Sequence, residues 1–314
     1  MRTLLALICL VLSLPGYAQD SYPSHPVRLI TPYPPGGSSD NVSRVIAERL
    51  SAQLGQPMIV DNRGGAAGTI GAQAAQAAKP DGYTLLMAPT AVFAITPHLR
   101  GVPYDPFGFE PVAQVVTAPS IAVVHKDSPV KSMRDFVALA KKQPGKLTFG
   151  SAGPGSITQL NGEMLKQRAA IDILHVPFKG SAESMTALLG KQIDLIIDPV
   201  ALGQARAGAV RAIAIFGERR VPDLPDVPTI AEAGYDIDLP SWFGLFAPKG
   251  TPPPIISRLS AEVAKALQDA ETVQKLAKLN LFPAYLDPPK FQAKIRQDDQ
   301  LLAELIRKGG IKGD

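Results

Sequence analysis

The sequence predicts an α/β fold that is divided into two domains with a ligand cleft between them. Short runs rich in β-branched and apolar residues alternate with stretches of helical periodicity, which is the pattern of sheets covered by helices. The alternation occurs in two successive series. The chain has 314 residues, and a single hydrophobic core normally stops growing below that length.

The first series predicts three strands and two helices, with the strands forming a largely parallel sheet. In the first helix Val42, Ile46 and Leu50 recur at helical spacing, which predicts one buried face and a helix start near residues 38–41. The predicted strands are 27–30, 57–62 and 83–89, and the predicted helices are 41–54 and 69–78.

The second series repeats the pattern and ends in a helical tail. Its predicted strands are 121–125, 146–151, 173–178, 192–198 and 210–216, and its predicted helices are 132–142, 156–168 and 183–189. A proline-rich stretch at 218–229 leads to a strand at 242–248 and to two long amphipathic helices, 254–280 and 288–308.

The two domains are predicted to be joined by two connections, near residues 112–120 and 239–247. The first domain is then discontinuous, comprising residues 19–118 and 240–314, and the C-terminal helices pack back on it. Residues 119–239 form the second domain. Such a double crossing is a natural hinge around a cleft.

The first 18 residues have the pattern of a secretory signal peptide. Arg2 precedes an apolar run at 4–14, and the small residues Gly16 and Ala18 follow. We expect cleavage after Ala18 and export to the periplasm. The alternative is a buried N-terminal helix.

Composition and motifs give no evidence for catalysis, metal binding or nucleic acid binding. The net charge is +4 and the cationic residues are scattered, which is unlike a phosphate-backbone footprint. No GxSxG or HExxH motif occurs. We therefore predict no catalytic residue, no metal site and no cofactor. The single cysteine, Cys9, lies in the predicted signal peptide, and the four histidines form no metal-spaced pair.

Residues 31–40, TPYPPGGSSD, are the first candidate anion site. The glycines let backbone N–H groups approach a ligand, and the positive end of the following helix stabilises an anion. The lysine of a P-loop is missing, which favours a carboxylate over a nucleoside phosphate. A capped turn without a ligand remains the alternative.

Residues 148–160, TFGSAGPGSITQL, repeat this arrangement in the second domain. A strand again ends in small residues, and a helix follows. Two such corners can face each other across a cleft at the carboxyl ends of two sheets. Ser151, Gly153, Gly155 and Ser156 are the candidate residues of this second loop.

Two further candidates follow along the chain. In residues 176–184 Gly180 and Ser181 open another helix, and Lys179 supplies a positive charge or is a solvated surface lysine. Asp198 ends an apolar strand, where its carboxylate can receive an amine or hydroxyl of a ligand. A helix cap is the alternative for Asp198.

Seven stretches of this chain together resemble the Bug receptors, the extracytoplasmic solute-binding proteins of tripartite tricarboxylate transporters. The resemblance covers essentially the whole chain after the signal. The stretches are PYPPGGSSD (32–40), VDNRGGAAGTIGA (60–72), PDGYTLLMA (80–88), PGKLTFGSAGPGS (144–156), HVPFKGS (175–181), LPDVPTIAEAGY (224–235) and SWFGLFAPKGTP (241–252).

The resemblance implies a Venus-flytrap fold, in which backbone groups and ordered waters of two loops bind the carboxylate of a small organic acid. It places Asp198 at the variable end of the ligand. The implied ligand-binding residues are Tyr33, Pro35, Gly36, Gly37, Ser38 and Asp40 in the first loop, Ser151, Gly153, Gly155, Ser156 and Gln159 in the second, and Thr90, Gly180, Ser181 and Asp198.

The sequence departs from the pattern of the Bug receptors at several positions. Gln159 stands where the family commonly has histidine, Asn161 where alanine is usual, and Phe178 where tyrosine is usual. Residues 61–65 also differ from the common Glu-Asn-Arg-Pro-Gly. Gln159 bears most on specificity, because an amide donates and accepts hydrogen bonds but carries no charge.

The predicted function is therefore capture of a small carboxylated solute by domain closure, without enzymatic activity. The solute is a mono- or dicarboxylate, an amino acid or an aromatic acid. The expected partners are the membrane components of a tripartite transporter, and the receptor is expected to be a monomer. The alternatives are an occupancy sensor that acts on a sensor kinase, and a secreted enzyme acting on organic acids.

Overall fold

Two β-sheets organise the computed structural model, which describes residues 22–217, 219–237, 239 and 241–311. The predicted signal peptide lies outside the described residues. The first half of the chain contains β1 (Val27–Thr31), α1 (Ser38–Leu54), β2 (Met58–Asn62), a short 3-10 helix (Ala66–Gly68), α2 (Thr69–Gln76), β3 (Thr84–Pro89), α3 (Thr90–Ala94), α4 (Thr96–Leu99), β4 (Phe109–Thr117), β5 (Ser120–His125) and α5 (Met133–Lys142).

The second half continues with helices on strands and ends in three helices that flank one more strand. Its elements are β6 (Thr148–Ser151), α6 (Ile157–Ala169), β7 (Leu174–Pro177), α7 (Ser181–Leu189), β8 (Leu195–Asp198), α8 (Ala201–Arg206), β9 (Val210–Phe216), β10 (Trp242–Pro248), α9 (Pro253–Ala266), α10 (Ala270–Lys278), β11 (Phe282–Leu286) and α11 (Pro288–Gly309).

Both sheets are mixed rather than largely parallel. The strand order of the first sheet is β11-β4-β10-β3-β1-β2, in which β1 pairs in parallel with β2 and β3 while β10 is antiparallel to both of its neighbours. The order of the second is β7-β6-β8-β5-β9, with β5 antiparallel to β8 and β9. The four strands that adjoin the passages of the chain between the sheets, β4, β5, β9 and β10, all have antiparallel partners, and so does β11.

The chain passes between the sheets twice. The first passage joins β4 to β5 through Ala118 and Pro119, which lie inside the predicted range 112–120 but span only a small part of it. Most of that range is strand β4, whose burial on both faces hides the alternation that marks a strand. The second passage joins β9 to β10 through residues 217–241.

The single helix predicted over 254–280 is two helices, α9 and α10. Asp269 causes the break, because its Oδ2 atom accepts hydrogen bonds from Thr272 N at 3.0 Å and Thr272 Oγ1 at 2.7 Å. A side chain that accepts these hydrogen bonds acts as the N-cap of a new helix. Strand β11 follows α10 and was not predicted.

The C-terminal helix α11 packs against both sheets. Near its start Phe291 and Ile295 lie in the core of the first sheet with Trp242. Further along Leu302 and Ile306 lie in the core of the second sheet. The helix thus packs on the first sheet, as the prediction has it, and also on the second, since its 22 residues are long enough to reach both cores.

Removal of one buried leucine from α11 should destabilise the protein. Leu302 has no exposed surface, whereas its neighbour Leu301 is 43% exposed. We expect Leu302→Ala to lower the free energy of unfolding by about 2–5 kcal/mol, because it leaves a cavity in the core. Urea denaturation measures the change, with Leu301→Ala as the matched control. Equal losses in the two variants would contradict the packing of α11.

Candidate functional site

A cavity of about 170 Å³ lies between the two sheets, beside the carboxyl ends of β1, β3 and β8. Ligands of α/β proteins commonly bind at this edge. The lining residues come from loops and elements next to both sheets. They are Tyr33, Pro34, Pro35, Gly37, Ser38, Ser39, Pro89, Thr90, Ala91, Ala152, Ser156, Ile157, Thr158, Gly180, Ser181, Ala182, Glu183, Pro199, Ser241, Trp242 and Phe243.

The N-terminus of α1 lines one side of this cavity without a side-chain cap. Its N-cap residue is Gly37, which has no side chain to accept a hydrogen bond from the first turn. Ser38 Oγ is buried and has no hydrogen-bond partner among the described residues. The first backbone N–H groups of a helix have no partner within the helix, so those of α1 are available to a ligand.

The N-terminus of α7 lines the opposite side of the cavity and also lacks a side-chain cap. Its N-cap residue is Gly180, and no side chain caps the helix. The two N-termini are close, because a Cβ atom at Gly37 would lie 3.8 Å from Ser181 Cβ and one at Gly36 would lie 3.6 Å from Ala182 Cβ. Each helix N-terminus carries about half of a positive charge. Two such N-termini at one cavity can stabilise one anion.

The N-terminus of α6 differs from those of α1 and α7, because its own side chains receive the backbone donors. Ser156 Oγ accepts a hydrogen bond from Gln159 N at 3.2 Å, and Gln159 Oε1 accepts one from Gly155 N at 2.6 Å. Thr158 Oγ1 likewise accepts one from Ala152 N at 2.8 Å. The second predicted loop therefore has fewer free N–H groups than α7.

The second predicted loop is also hydrogen-bonded to residues at α4. Thr96 Oγ1 donates a hydrogen bond to Gly155 O, and Arg100 Nη2 donates one to Pro154 O, both at 3.1 Å. These bonds fix the loop against α4 and the residue that follows it. They also bring the two sides of the cleft together outside the cavity.

The first predicted loop is shaped by Asp40, which does not line the cavity itself. Its carboxylate accepts hydrogen bonds from Gly36 N at 3.0 Å, Asn62 Nδ2 at 3.0 Å and Arg44 Nε at 2.9 Å. Burial alone would raise the pKa of Asp40, but Arg44, the Gly36 amide and Asn62 outweigh burial and lower it. An ionised Asp40 thus positions Gly36 next to the free end of α1.

Aromatic side chains form the wall of the cavity. Tyr33 Oη donates a hydrogen bond to Ala67 O at 3.2 Å, and burial raises the pKa of Tyr33. Thr90 Oγ1 accepts a hydrogen bond from Trp242 N at 3.0 Å. Trp242 Nε1 donates to Asp298 Oδ2 at 2.8 Å. The polar atoms of these side chains have protein partners, which leaves mainly rings facing the cavity.

Asp198 is buried next to the cavity but does not line it. Its Oδ1 atom accepts a hydrogen bond from Val200 N at 2.9 Å, and its Oδ2 atom has no partner among the described residues. Burial raises the pKa of Asp198, against smaller opposite effects of Ser181 and the Val200 amide. The carboxyl group can therefore accept a hydrogen bond from an approaching group or hold a proton.

The described lining residues include no lysine, arginine or histidine, and Glu183 is the one carboxylate among them. Lys179 is exposed and does not line the cavity. Within the described ranges no cluster of histidine, cysteine, aspartate and glutamate could hold a metal ion. The positive potential of the site therefore comes from the backbone.

The structure divides the predicted site residues into two groups. Those that line the cavity are Tyr33, Pro35, Gly37, Ser38, Thr90, Ser156, Gly180 and Ser181. Those that do not are Gly36, Asp40, Ser151, Gly153, Gly155, Gln159 and Asp198. Sequence reasoning missed the cavity wall of Pro89, Ser241, Trp242 and Phe243, although the absence of a Ser, Thr, Asp or Asn cap at Gly37 and Gly180 is visible in the sequence.

Comparison with known proteins identifies the family. Residues 42–311 match the family described as "Tripartite tricarboxylate transporter family receptor". Protein BugT of Bordetella pertussis is 36% identical over 325 residues, which cover 99% of each chain. The chain thus belongs to this receptor family, and the resemblance to the Bug receptors is confirmed.

Two solved structures with ligands are similar to this chain. Rhodopseudomonas palustris Rpa4515 with adipate has a TM-score of 0.89 at 32% identity, with 93% of this chain and 99% of that chain covered. MatC from the same species, with bound malate, has a TM-score of 0.84 at 30% identity, with 91% and 100% covered. The predicted fold class is confirmed, and the chain is a solute-binding receptor of a periplasmic family. No helix in the described residues is long and apolar enough to cross a membrane.

Replacement of Asp198 by asparagine should stabilise the protein at neutral pH. The folded-state pKa of Asp198 lies above its ordinary value of 3.8, so the folded protein binds the proton more tightly than the unfolded chain does. The stability of the wild type therefore falls as the pH rises from 3.8 through the folded pKa. We expect Asp198→Asn to add about 1 kcal/mol or more at neutral pH, because a buried carboxylate without an ion-pair partner costs more than a buried neutral amide.

The advantage of Asp198→Asn should shrink as the pH falls towards 3.8, where the wild type becomes protonated. Denaturation of both proteins over this pH range measures the difference. Asp226→Asn is the matched control, because Asp226 is exposed. An advantage that does not vary with pH, or that is shared by the control, would contradict the raised pKa of Asp198.

Proposed function

We propose that this receptor captures a small acid in the cavity between its two halves and binds the carboxylate of that acid with the free N–H groups of α1 and α7. One observation carries the proposal: two helices with glycine N-caps and no side-chain cap begin at the same cavity. Helix N-termini of this kind are anion sites. The adipate and malate in the similar structures Rpa4515 and MatC support a carboxylate as the anion.

The charge of the cavity favours acids with a single carboxylate. The two helices supply about one positive charge in total. A second carboxylate would meet no cationic side chain among the described lining residues and would meet Glu183 instead. The rings of Tyr33, Trp242 and Phe243 suit an apolar or hydroxylated body. We therefore propose a monocarboxylate as the preferred ligand within the broader class of small acids.

The positions of the two N-termini support capture by closure of two units. The units proposed are residues 19–118 with 240–314, and residues 119–239. Because α1 belongs to one unit and α7 to the other, both sets of N–H groups reach one carboxylate only when the units approach. The bonds from Thr96 to Gly155 and from Arg100 to Pro154 would stabilise the closed arrangement.

The cellular role proposed for the receptor is delivery of the acid to the membrane components of a tripartite transporter. The name of the family supports this role. Export would use residues 1–18 as a signal peptide that is cleaved after Ala18, and the mature receptor would act as a monomer without a cofactor. Binding, rather than catalysis, is supported by a cavity whose polar groups are mainly backbone N–H groups and hydroxyls.

A panel of acids tests the binding proposal by thermal shift. We expect at least one small monocarboxylate to stabilise the protein, by about 2.7 kcal/mol at 100 times its dissociation constant. Propionate and succinate, lactate and malate, and benzoate and phthalate are pairs that differ by one added carboxylate. The monocarboxylate of the productive pair should bind more tightly, and its amide should not bind. Stabilisation by no acid, or equal binding of acid and amide, would overturn the proposal.

A valine at the first N-cap should abolish binding of the acid found by that panel. Gly37 has φ −89°, which a valine adopts, so Gly37→Val should change the unfolding free energy by only about 1 kcal/mol. The added methyl groups would occupy the space between the N-termini, and isothermal titration calorimetry should detect no binding. The control is Gly101→Val, at an exposed position with no atom within 4 Å of the added Cβ. Unchanged affinity in Gly37→Val would exclude α1 as the anchor.

A further inference from the structure

A second cavity, of about 500 Å³, lies where the chain passes between the sheets. We name it the crossing pocket and define it by Pro119, Phe216, Arg219, Trp242 and Lys294, which line it. Pro119 belongs to the first passage, Arg219 to the second, and Trp242 opens β10. The crossing pocket thus contacts both connections about which the two units would move.

The polar side of the crossing pocket is cationic. Arg219, Arg220 and Lys294 line it, and no carboxylate does so among the described residues. Arg220 pairs with Glu232 at 2.9 Å, and Lys294 pairs with Asp298 at 2.9 Å. Arg219 is exposed and has no ion pair with any described residue, so it is the lining cation without a carboxylate partner in the described part of the chain. This balance suits a monoanion.

The remaining lining of the crossing pocket is apolar. Phe216, Val221 and Trp242 are buried, with 6%, 1% and 1% of their surfaces exposed. Phe282 and Leu239 complete the apolar lining. A pocket lined by aromatic rings and by Arg219 matches a ligand with a flat apolar body and one carboxylate, because Arg binds carboxylate oxygens in pairs and apolar burial stabilises the rest.

Trp242 connects the crossing pocket to the ligand cavity, since it lines both. Its indole N–H donates to Asp298, the partner of Lys294, and its backbone N–H donates to Thr90 in the ligand cavity. A change at Lys294 therefore reaches the cavity wall through two polar contacts.

We propose that the crossing pocket is a second binding site for an aromatic monocarboxylate and that its occupation raises the affinity of the ligand cavity. The crossing pocket is formed in the arrangement in which both sides of the ligand cavity are in contact, so an occupant that fits it favours this arrangement. The effect on the affinity of the ligand cavity rests on the proposed function, whereas binding in the crossing pocket does not. Coupling energies of this kind typically change affinity by about 5-fold or more.

Benzoate is the probe, and fluorescence of Trp242, the single tryptophan of the chain, is the signal. Titration of Gly37→Val restricts binding to sites other than the ligand cavity. We expect saturable binding in Gly37→Val, weakened at least about 10-fold when Arg219→Ala is added, because the ligand loses a charged hydrogen bond. The matched control is Arg168→Ala, which removes an exposed arginine on α6 and should leave the affinity unchanged.

Three results would overturn the crossing pocket as a site. In the first, millimolar benzoate shows no saturable binding to Gly37→Val. In the second, Arg168→Ala weakens benzoate binding as much as Arg219→Ala does. In the third, Gly37→Val abolishes benzoate binding, whereas Arg219→Ala alone leaves it intact. The last result would assign benzoate to the ligand cavity alone and would leave the receptor function standing.

The coupling is tested with the acid found by thermal shift, or with a different acid of the panel if that acid is benzoate. Its affinity for the wild type is measured with and without saturating benzoate. We expect a gain of about 5-fold that disappears in Arg219→Ala. An unchanged affinity in the wild type, despite benzoate binding in the crossing pocket, would overturn the coupling.

Discussion

Two helices of this receptor begin at the same cavity with no side chain to receive their first N–H groups. Glycines stand at their N-caps, Gly37 at α1 and Gly180 at α7, whereas four other described helices are capped by a side chain. Buried N–H groups without a partner are costly, so these two ends require either water or an anion. Side-chain caps occur at α5, α6, α10 and α11, through Ser132, Ser156, Asp269 and Asp287.

Much of the surrounding structure positions these two ends. Asp40 draws Gly36 towards α1, and Asn62 links Asp40 to the carbonyl of Tyr33 at 3.1 Å. Because the loop uses its charged side chain internally, only backbone and hydroxyl donors remain for the ligand. In the proposed function these donors recognise the carboxylate, and the aromatic wall around Trp242 selects the body of the acid.

The sequence alone predicts those helices and strands whose hydrophobic periodicity is complete within the element itself. Helix α1 and the strands preceding the two loops follow from local patterns. Strand β4 could not be predicted because it is buried on both faces, and the break at Asp269 depends on a cap inside a continuous apolar pattern. The packing of α11 on two cores is a tertiary property that no window of sequence contains.

The site was predictable to a similar extent. The first loop and the pair Gly180 and Ser181 could be named because glycine at a strand-to-helix corner has a physical meaning. The bond from Gly155 N to Gln159 Oε1 could not be foreseen, since it depends on the rotamer of one buried amide. That bond uses a backbone N–H group of the second loop. The second anchor in the proposed function is therefore α7 rather than this loop.

Backbone amide hydrogen exchange, measured by NMR with and without a saturating acid, tests the two-helix anchor most directly. The N–H groups of Ser38, Ser39, Ser181 and Ala182 stand in the first turns of α1 and α7. We expect the acid to slow their exchange together and to shift their resonances. The account would be contradicted if these amides were unchanged while those of residues 151–159 became protected.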